Sequence, residues 1–391
     1  MKTLLLTDVP LTDAYSGSLL TLSMCREIGA SDIVCCLVKN PDIPQVSQEG
    51  YASEIVEFVK PPEFHAPGDP LWKKYAKEWW SAHVCAPRIA RQVIEQARAW
   101  GAERIWCPVQ GQVITSIMAY IVRHSPLPVY TQVWDVPEWW IKNTNMDTWS
   151  AGRFLKDFDL VMRSSKCIAG ASHKMAERFA KRYGRPSVPF ESALPVSVGK
   201  APREPCADSE PFVIGFCGQV YASAAISALF DALAKADWKL KGHEIVFKLF
   251  GYSLEFHRHQ KMNVHFKGYH AQAETIEELS QCDLLYCPYL FGDDERVVAE
   301  TSFPAKLTTY MSTGVPVFFH GPAYSAPSEF LLSGDAAYQC GSLDPNDVLA
   351  NLERILEDPI RYKTIAKNSR KLFAAELTTD VLSAKVKRFF A

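Results

Sequence analysis

The sequence predicts an α/β protein built from two mostly parallel sheets. Short apolar runs alternate with segments of helical periodicity from Lys2 to Val133, and the same alternation restarts at Phe212 after a stretch rich in Pro, Gly, Ser and charge. The length agrees: 391 residues hold two domains at roughly 100–200 residues each.

Lys2–Thr7 is an apolar run that breaks at Asp8-Val9-Pro10, a buried first strand followed by a loop through Tyr15-Ser16-Gly17. Leu19, Leu20, Leu22, Met24 and Ile28 recur at helical spacing and stop at Gly29. DIVCCLV (32–38) and EIVEFV (54–59) read as strands, and a long helical stretch covers about Leu71 to Trp100. RIWCPV (104–109) is a strand, 113–124 a helix, and 129–133 a strand. VSVGKAPREPCADSEP (196–211) reads as a linker between a domain of residues 1–195 and one of 212–375. Beyond it, strands are expected near 212–216, 244–250, 264–266, 284–286 and 315–319, with helices at 224–236, 275–280 and 306–312. The tail is helical, with Leu349, Leu352, Ile355 and Leu356 on one face, and 376–391 is expected to pack back on the first domain.

Composition narrows the function. Hydrophobic residues make up 48% and charged residues 22%, ordinary for a globular chain. The net charge of −2 supplies no basic field for nucleic acid. The 11 cysteines include no Cys-x-x-Cys pair, which suits reduced thiols in a cytoplasmic protein. Met1–Leu6 is too short and too soon polar for a signal peptide, and no 18-residue apolar stretch spans a membrane. Nine of the 10 tryptophans precede residue 150.

The segment with most chemistry is Glu300–Pro316, ETSFPAKLTTYMSTGVP. Ser302 stands where a helix N-cap is expected and Pro304 in its first turn; Leu307, Tyr310 and Met311 follow at helical spacing, and Gly314 closes the helix. Free N–H groups at such an end, with Lys306 beside them, make an anion site. A loop-to-helix junction without a ligand reads the same way from these residues alone.

SFPAKLTTYMSTGVPV resembles the donor-site helix of GT-B glycosyltransferases, in particular the retaining, family 4-like enzymes (glycosyl transferases group 1). FVIGFCG (212–218), LFGY (249–252), NVHFKGY (263–269) and CDLLYCP (282–288) resemble the family's other landmarks in order, and TQVWD (131–135) and IAGAS (168–172) fit its first-domain strands. The resemblance implies an α/β, GT-B architecture: two Rossmann-like domains with mostly parallel sheets facing a central cleft. It implies a nucleotide-sugar donor, UDP-linked by expectation, held by the second domain. A glycan or lipid-linked acceptor is expected on the first, with transfer to a hydroxyl and retention. No cofactor is expected, because the nucleotide-sugar is a substrate, and no metal, because a GT-B enzyme can neutralise the leaving diphosphate with helix dipoles and basic side chains. Carried over, the donor set is Gly17, Gly218, Gln219, Tyr252, Tyr269, the Ser302 and Phe303 backbone, Lys306 and Thr309. Glu300 is expected at the transferred sugar.

Several positions depart from the family pattern. Thr301 and Thr309 stand where two glutamates are usual, Gln219 and Ala224 replace an Arg and a Lys, and Trp134 replaces a His. Arg296 or Lys306 would then supply the missing positive charge. These departures also suit a catalytically silent nucleotide-binding protein, and the fold alone suits an epimerase or hydrolase. A dinucleotide dehydrogenase is disfavoured, since no Gly-x-Gly-x-x-Gly follows the first strand.

Asp135 follows an apolar strand, where it either orients and deprotonates an acceptor hydroxyl or caps the next turn at Pro137. Gln110 and Gln112 flank Gly111 at another strand end and suit sugar hydroxyls, or a plain polar turn. Trp134 and Trp139, near Asp135, are expected as an acceptor wall. Asp293-Asp294-Glu295 reads as a solvated acidic turn, and His257, His259, His265 and His270 as surface histidines. Near 71–80, Trp72, Tyr75 and Trp79 share a helix face with Lys73, Lys74 and Lys77 close by. The default for such a helix buries the aromatics and exposes the lysines; the other reading is a peripheral membrane contact.

Overall fold

The computed structural model describes residues 1–12, 18–41, 50–66, 68–207, 210–251 and 263–391. The chain divides into two compact units: Met1–Glu191 with Leu382–Ala391, and Ser192–Val381.

The first unit carries β1 (Thr3–Thr7), β2 (Ile33–Lys39), β3 (Glu54–Val59), β4 (Arg104–Pro108), β5 (Val129–Val133), β6 (Cys167–Gly170) and β7 (Ser187–Pro189). They form one parallel sheet in the order β3-β2-β1-β4-β5-β6-β7. Central strands are covered on both faces, which is why they read as unbroken apolar runs rather than alternating ones. The order reverses between β1 and β4, so the carboxyl ends of β1, β4 and β5 bound the crevice where such sheets take ligands.

The long helical stretch is continuous but not uniform. Leu71–Trp80 and Ala86–Trp100 are α-helical, joined by a π turn over Ser81–Cys85 in which the Ala86 N–H reaches back to the Ser81 carbonyl. Pro87 has no N–H to donate, and the wider turn absorbs that gap in the ladder. Asp147 caps the helix Thr148–Ser164 through the Trp149 and Ser150 N–H groups. The C-terminal residues belong to this unit: Lys385 pairs with Glu191 at 2.8 Å, and the Arg104 guanidinium lies 3.9 Å from the Phe390 ring centre.

The second unit carries β8 (Phe212–Cys217), β9 (Lys239–Leu240), β10 (His243–Phe250), β11 (Val264–Gly268), β12 (Leu284–Pro288), β13 (Val317–His320) and β14 (Ala337–Cys340). Six of them run parallel in the order β11-β10-β8-β12-β13-β14, and β9 pairs antiparallel with β10. The reversal lies between β8 and β12. One face of the sheet buries Phe216, Phe230, Phe247 and Tyr286; the other buries Phe250, Leu285, Tyr310 and Phe319.

The segment read as a linker, 196–211, is tied into this second unit. Lys200 N–H donates to the Ser312 carbonyl at 2.8 Å, Arg203 N–H to the Gly314 carbonyl at 2.8 Å, and Arg203 pairs with Asp283 at 3.1 Å. Gly314 has φ +75°, and a Cβ there would stand 2.1 Å from the Ala201 carbonyl oxygen. Gly314→Ala is therefore expected to lose about 3 kcal/mol of stability, seen as an earlier urea transition of this unit.

Candidate functional site

Three glycines mark the carboxyl edge of the second sheet. Gly218 (φ +92°) follows β8, Gly251 (φ +119°) follows β10, and Gly268 (φ +78°) ends β11. They are knitted together: Gly218 N–H donates to Phe250 O at 3.0 Å, and Gly251 N–H to Gly268 O at 2.8 Å. A Cβ on Gly251 would stand 3.2 Å from the Gly218 carbonyl oxygen. The result is a stretch of bare backbone beside the β8/β12 reversal, with Gly218 and Gln219 exposed.

Lys306 lies across this edge. Its Nζ donates to the Gln219 carbonyl at 3.3 Å and sits 4.2 Å from the Phe216 ring centre and 5.0 Å from that of Tyr221. Burial lowers its pKa, with no carboxylate contributing against that shift. A cation held by a carbonyl and two ring faces is poised for an anion. Tyr269, just past Gly268, is 77% exposed and presents a bare aromatic face.

The Lys306 helix starts later than its sequence suggests. It runs Lys306–Ser312 with Ala305 at its N-cap, while Ser302 terminates the preceding helix, Arg296–Thr301, through its N–H to Val298 O at 2.8 Å. Pro304 explains the shift: it pushes Phe303 out of helical backbone, so a helix can begin only beyond it. Ser302 Oγ is thereby left buried without a partner among the described residues, and Tyr289 donates to the Ser302 carbonyl at 2.9 Å. Phe303 packs edge-on against Phe330, and Thr309 is buried in the helix. Glu300 is bonded to Arg296 at 2.9 Å, one turn back, so these two charges answer each other. Asp293–Glu295 forms a 3-10 turn.

At the carboxyl edge of the first sheet, Asp135 stands two residues past β5. It is not a cap: Val136 holds the N-cap position of the helix Pro137–Asn143, and Pro137 its first turn. Burial raises the Asp135 pKa to about 6. Trp134 is half-buried with its indole N–H unpartnered among the described residues, as is the Gln110 amide nitrogen. Trp139 and Trp140 meet edge-to-face at 4.8 Å. Gln112 is 1% exposed and turned inward, its amide nitrogen donating to Glu63 O at 2.9 Å and Glu78 Oε1 at 3.0 Å. Its task in this structure is to hold the chain, not to face solvent.

Sequence reading passed over two features here. Gln132 is buried in β5 with both amide atoms unpartnered among the described residues; the signal was a lone amide inside an apolar strand. Lys60 bridges Asp8, at 2.7 Å, and Glu63. Burial opposes the Lys60 charge, but the two carboxylates outweigh it and raise its pKa. Gly17, Tyr252, His257 and His259 lie outside the described residues, while His265 is exposed and His270 bonds Glu274 at 2.8 Å.

The Glycosyl transferases group 1 family profile matches residues 211–358. Solved structures of similar fold include sucrose-phosphate synthase from Thermosynechococcus elongatus, at 12% identity over 100% of this chain and 98% of that one, with TM-score 0.69. Anabaena HepE in complex with UDP and glucose matches at 14% identity over 100% and 99%, with TM-score 0.67. α,α-Trehalose 6-phosphate synthase from Burkholderia multivorans matches at 8% identity over 99% and 98%, with TM-score 0.62. At these identities the structures establish a shared fold, GT-B. Curated protein sequences give no match.

Proposed function

From the premise that this chain is a glycosyltransferase of the GT-B fold, with a Glycosyl transferases group 1 domain in its second unit, we propose that it moves a sugar from a UDP-linked donor to a hydroxyl of a glycan or glycolipid, with retention. The observation that carries this reading is Lys306 lying over the Gly218–Gln219 backbone at the β8/β12 reversal. Bare backbone admits a diphosphate closely, and the partly desolvated ammonium neutralises the charge that grows as the nucleotide leaves. Tyr269 offers a face for the base, the Ser302 hydroxyl a free hydrogen bond, and Thr309 a place near the ribose. Glu300, steadied by Arg296, reads the transferred sugar. On the first unit, Asp135 takes the acceptor proton, while Gln110, Trp134 and Trp139 hold the acceptor. UDP as the nucleotide is supported by the HepE structures, which hold UDP and UDP-glucose. Lys306 supplies the positive charge in this scheme, so EDTA is expected to leave turnover unchanged.

Thermal shift tests the reading at the level of binding. UDP at about 100 times its dissociation constant is expected to add about 2.7 kcal/mol of stability, with NAD inert. Stabilisation by NAD alone overturns it. Release of UDP from UDP-glucose in the presence of glycan acceptors then separates a transferase from a silent nucleotide-binding protein.

A further inference from the structure

The helix Leu71–Trp80 is folded inside out. Two of its four charged residues, Lys74 and Glu78, are 7% and 2% exposed, whereas Trp72 and Trp80 are 72% and 57% exposed, with Leu71, Tyr75 and Trp79 exposed beside them. Amphipathic helices of globular units do the reverse. The inward charges are held by specific partners. Glu78 accepts from Gln112 at 3.0 Å and Arg153 at 3.3 Å and bonds His65 at 2.9 Å; Lys74 donates to Asn145 O at 3.2 Å. The aromatic face is thus presented to solvent by a built polar network. It continues onto the helix Thr148–Ser164, where Trp149 is 81% exposed, one turn before Arg153.

The charge of this face selects its occupant. The exposed charges on Leu71–Trp80 are Lys73 and Lys77; both pair with Asp69, at 2.5 Å and 3.6 Å, and two ammonium groups against one largely covered carboxylate leave the cluster one net positive charge. Beside Trp149, a shallow open recess is lined by Arg153 and Lys156; Arg153 is paired with Glu78 at 3.3 Å and Asp157 at 3.5 Å, so Lys156 is the charge the recess adds. Tryptophan and tyrosine next to lysine suit the headgroup layer, where rings bury their apolar bodies and ammonium groups meet phosphate. A second copy packed two-fold on this face would bring its lysines against their own equivalents. We propose that this aromatic and basic face docks the protein on an anionic lipid surface, lying on the bilayer rather than crossing it. Among the described residues no helix is long and apolar enough to cross one.

The proposal does not depend on the transfer reading, and its test reads lipid binding alone. The full chain is sedimented with vesicles of phosphatidylcholine containing about one third phosphatidylglycerol, and with phosphatidylcholine alone. Binding to the anionic vesicles is expected, weakened by salt and reduced about tenfold in Trp72→Ser/Trp79→Ser/Trp80→Ser. All three side chains are exposed, so the variant should keep the wild-type circular dichroism spectrum. A second variant, Lys73→Gln/Lys77→Gln, is expected to lose the preference for anionic vesicles while keeping weak binding to both. Absence of vesicle binding, equal binding by wild type and the tryptophan variant, or a wild-type dimer that this variant converts to monomer overturns the proposal.

Discussion

Lys306→Met is expected to lower kcat/KM for the sugar donor by about 10²–10³-fold, the usual cost of removing one preorganised charge from a developing anion. The substitution keeps an apolar stem against the Phe216 and Tyr221 rings and deletes only the ammonium, so the fold should persist. The size of the effect follows from how few cations attend this edge among the described residues. Gln219 and Ala224 stand where the resemblance to GT-B glycosyltransferases implies an Arg and a Lys, and Arg296 is already bonded to Glu300. In the proposed transfer the charge acts on the leaving diphosphate, so kcat should fall along with donor affinity. Unchanged kinetics in the variant would remove Lys306 from the site.

Asp135→Asn is expected to lower kcat by about 10²–10⁴-fold, the range for loss of a positioned general base. The pH profile distinguishes this from loss of shape. A base must be ionised, and burial raises the Asp135 pKa to about 6, so wild-type activity should fall as pH drops through about 6. The residual activity of the variant should lack that limb. Stability moves in the opposite sense. The folded pKa lies above the ordinary 3.8, so the ionised carboxylate destabilises the fold at neutral pH, a cost that fades as pH falls through about 6 toward 4. The neutral amide is free of that desolvation cost, so the variant's Tm at neutral pH should not fall. An inactive variant that also melts early would point to a structural aspartate.

Much of the architecture is legible in the sequence because buried parallel strands write themselves as apolar runs between turn residues; β1, β2, β4, β5, β8, β10, β12 and β13 all do. The rest fails for physical reasons that can be named. β7 and β9 are three and two residues long, too short for any periodicity to register. At Ser302 two local rules compete, the serine cap and the steric effect of Pro304 on Phe303, and the proline wins, moving the helix start to Lys306. The Leu71–Trp80 helix shows the deeper limit. Its own residues predict buried tryptophans, but Glu78 finds His65, Gln112 and Arg153, which are up to 75 positions away in sequence. Those partners outweigh the local pattern and turn the aromatic face outward. Gln112 illustrates the same point in reverse: a glutamine beside a glycine reads as a sugar contact until its distant carboxylate partner is seen.

The glycine edge of the second sheet is more legible. Gly218, Gly251, Tyr269 and Lys306 each carry a local reason, a positive φ, an exposed ring or a helix start, although only the fold shows Lys306 crossing to the Gln219 carbonyl from 87 positions away. That crossing is the centre of the account, and calorimetric titration of UDP tests it most directly. Wild type and Lys306→Met are compared, with the exposed Lys235→Met as the control for lost surface charge. Saturable one-to-one binding to wild type and to the control is expected, weakened at least about tenfold in Lys306→Met, or about 1.4 kcal/mol. Equal UDP affinity in all three proteins, or no binding to any of them, would contradict it.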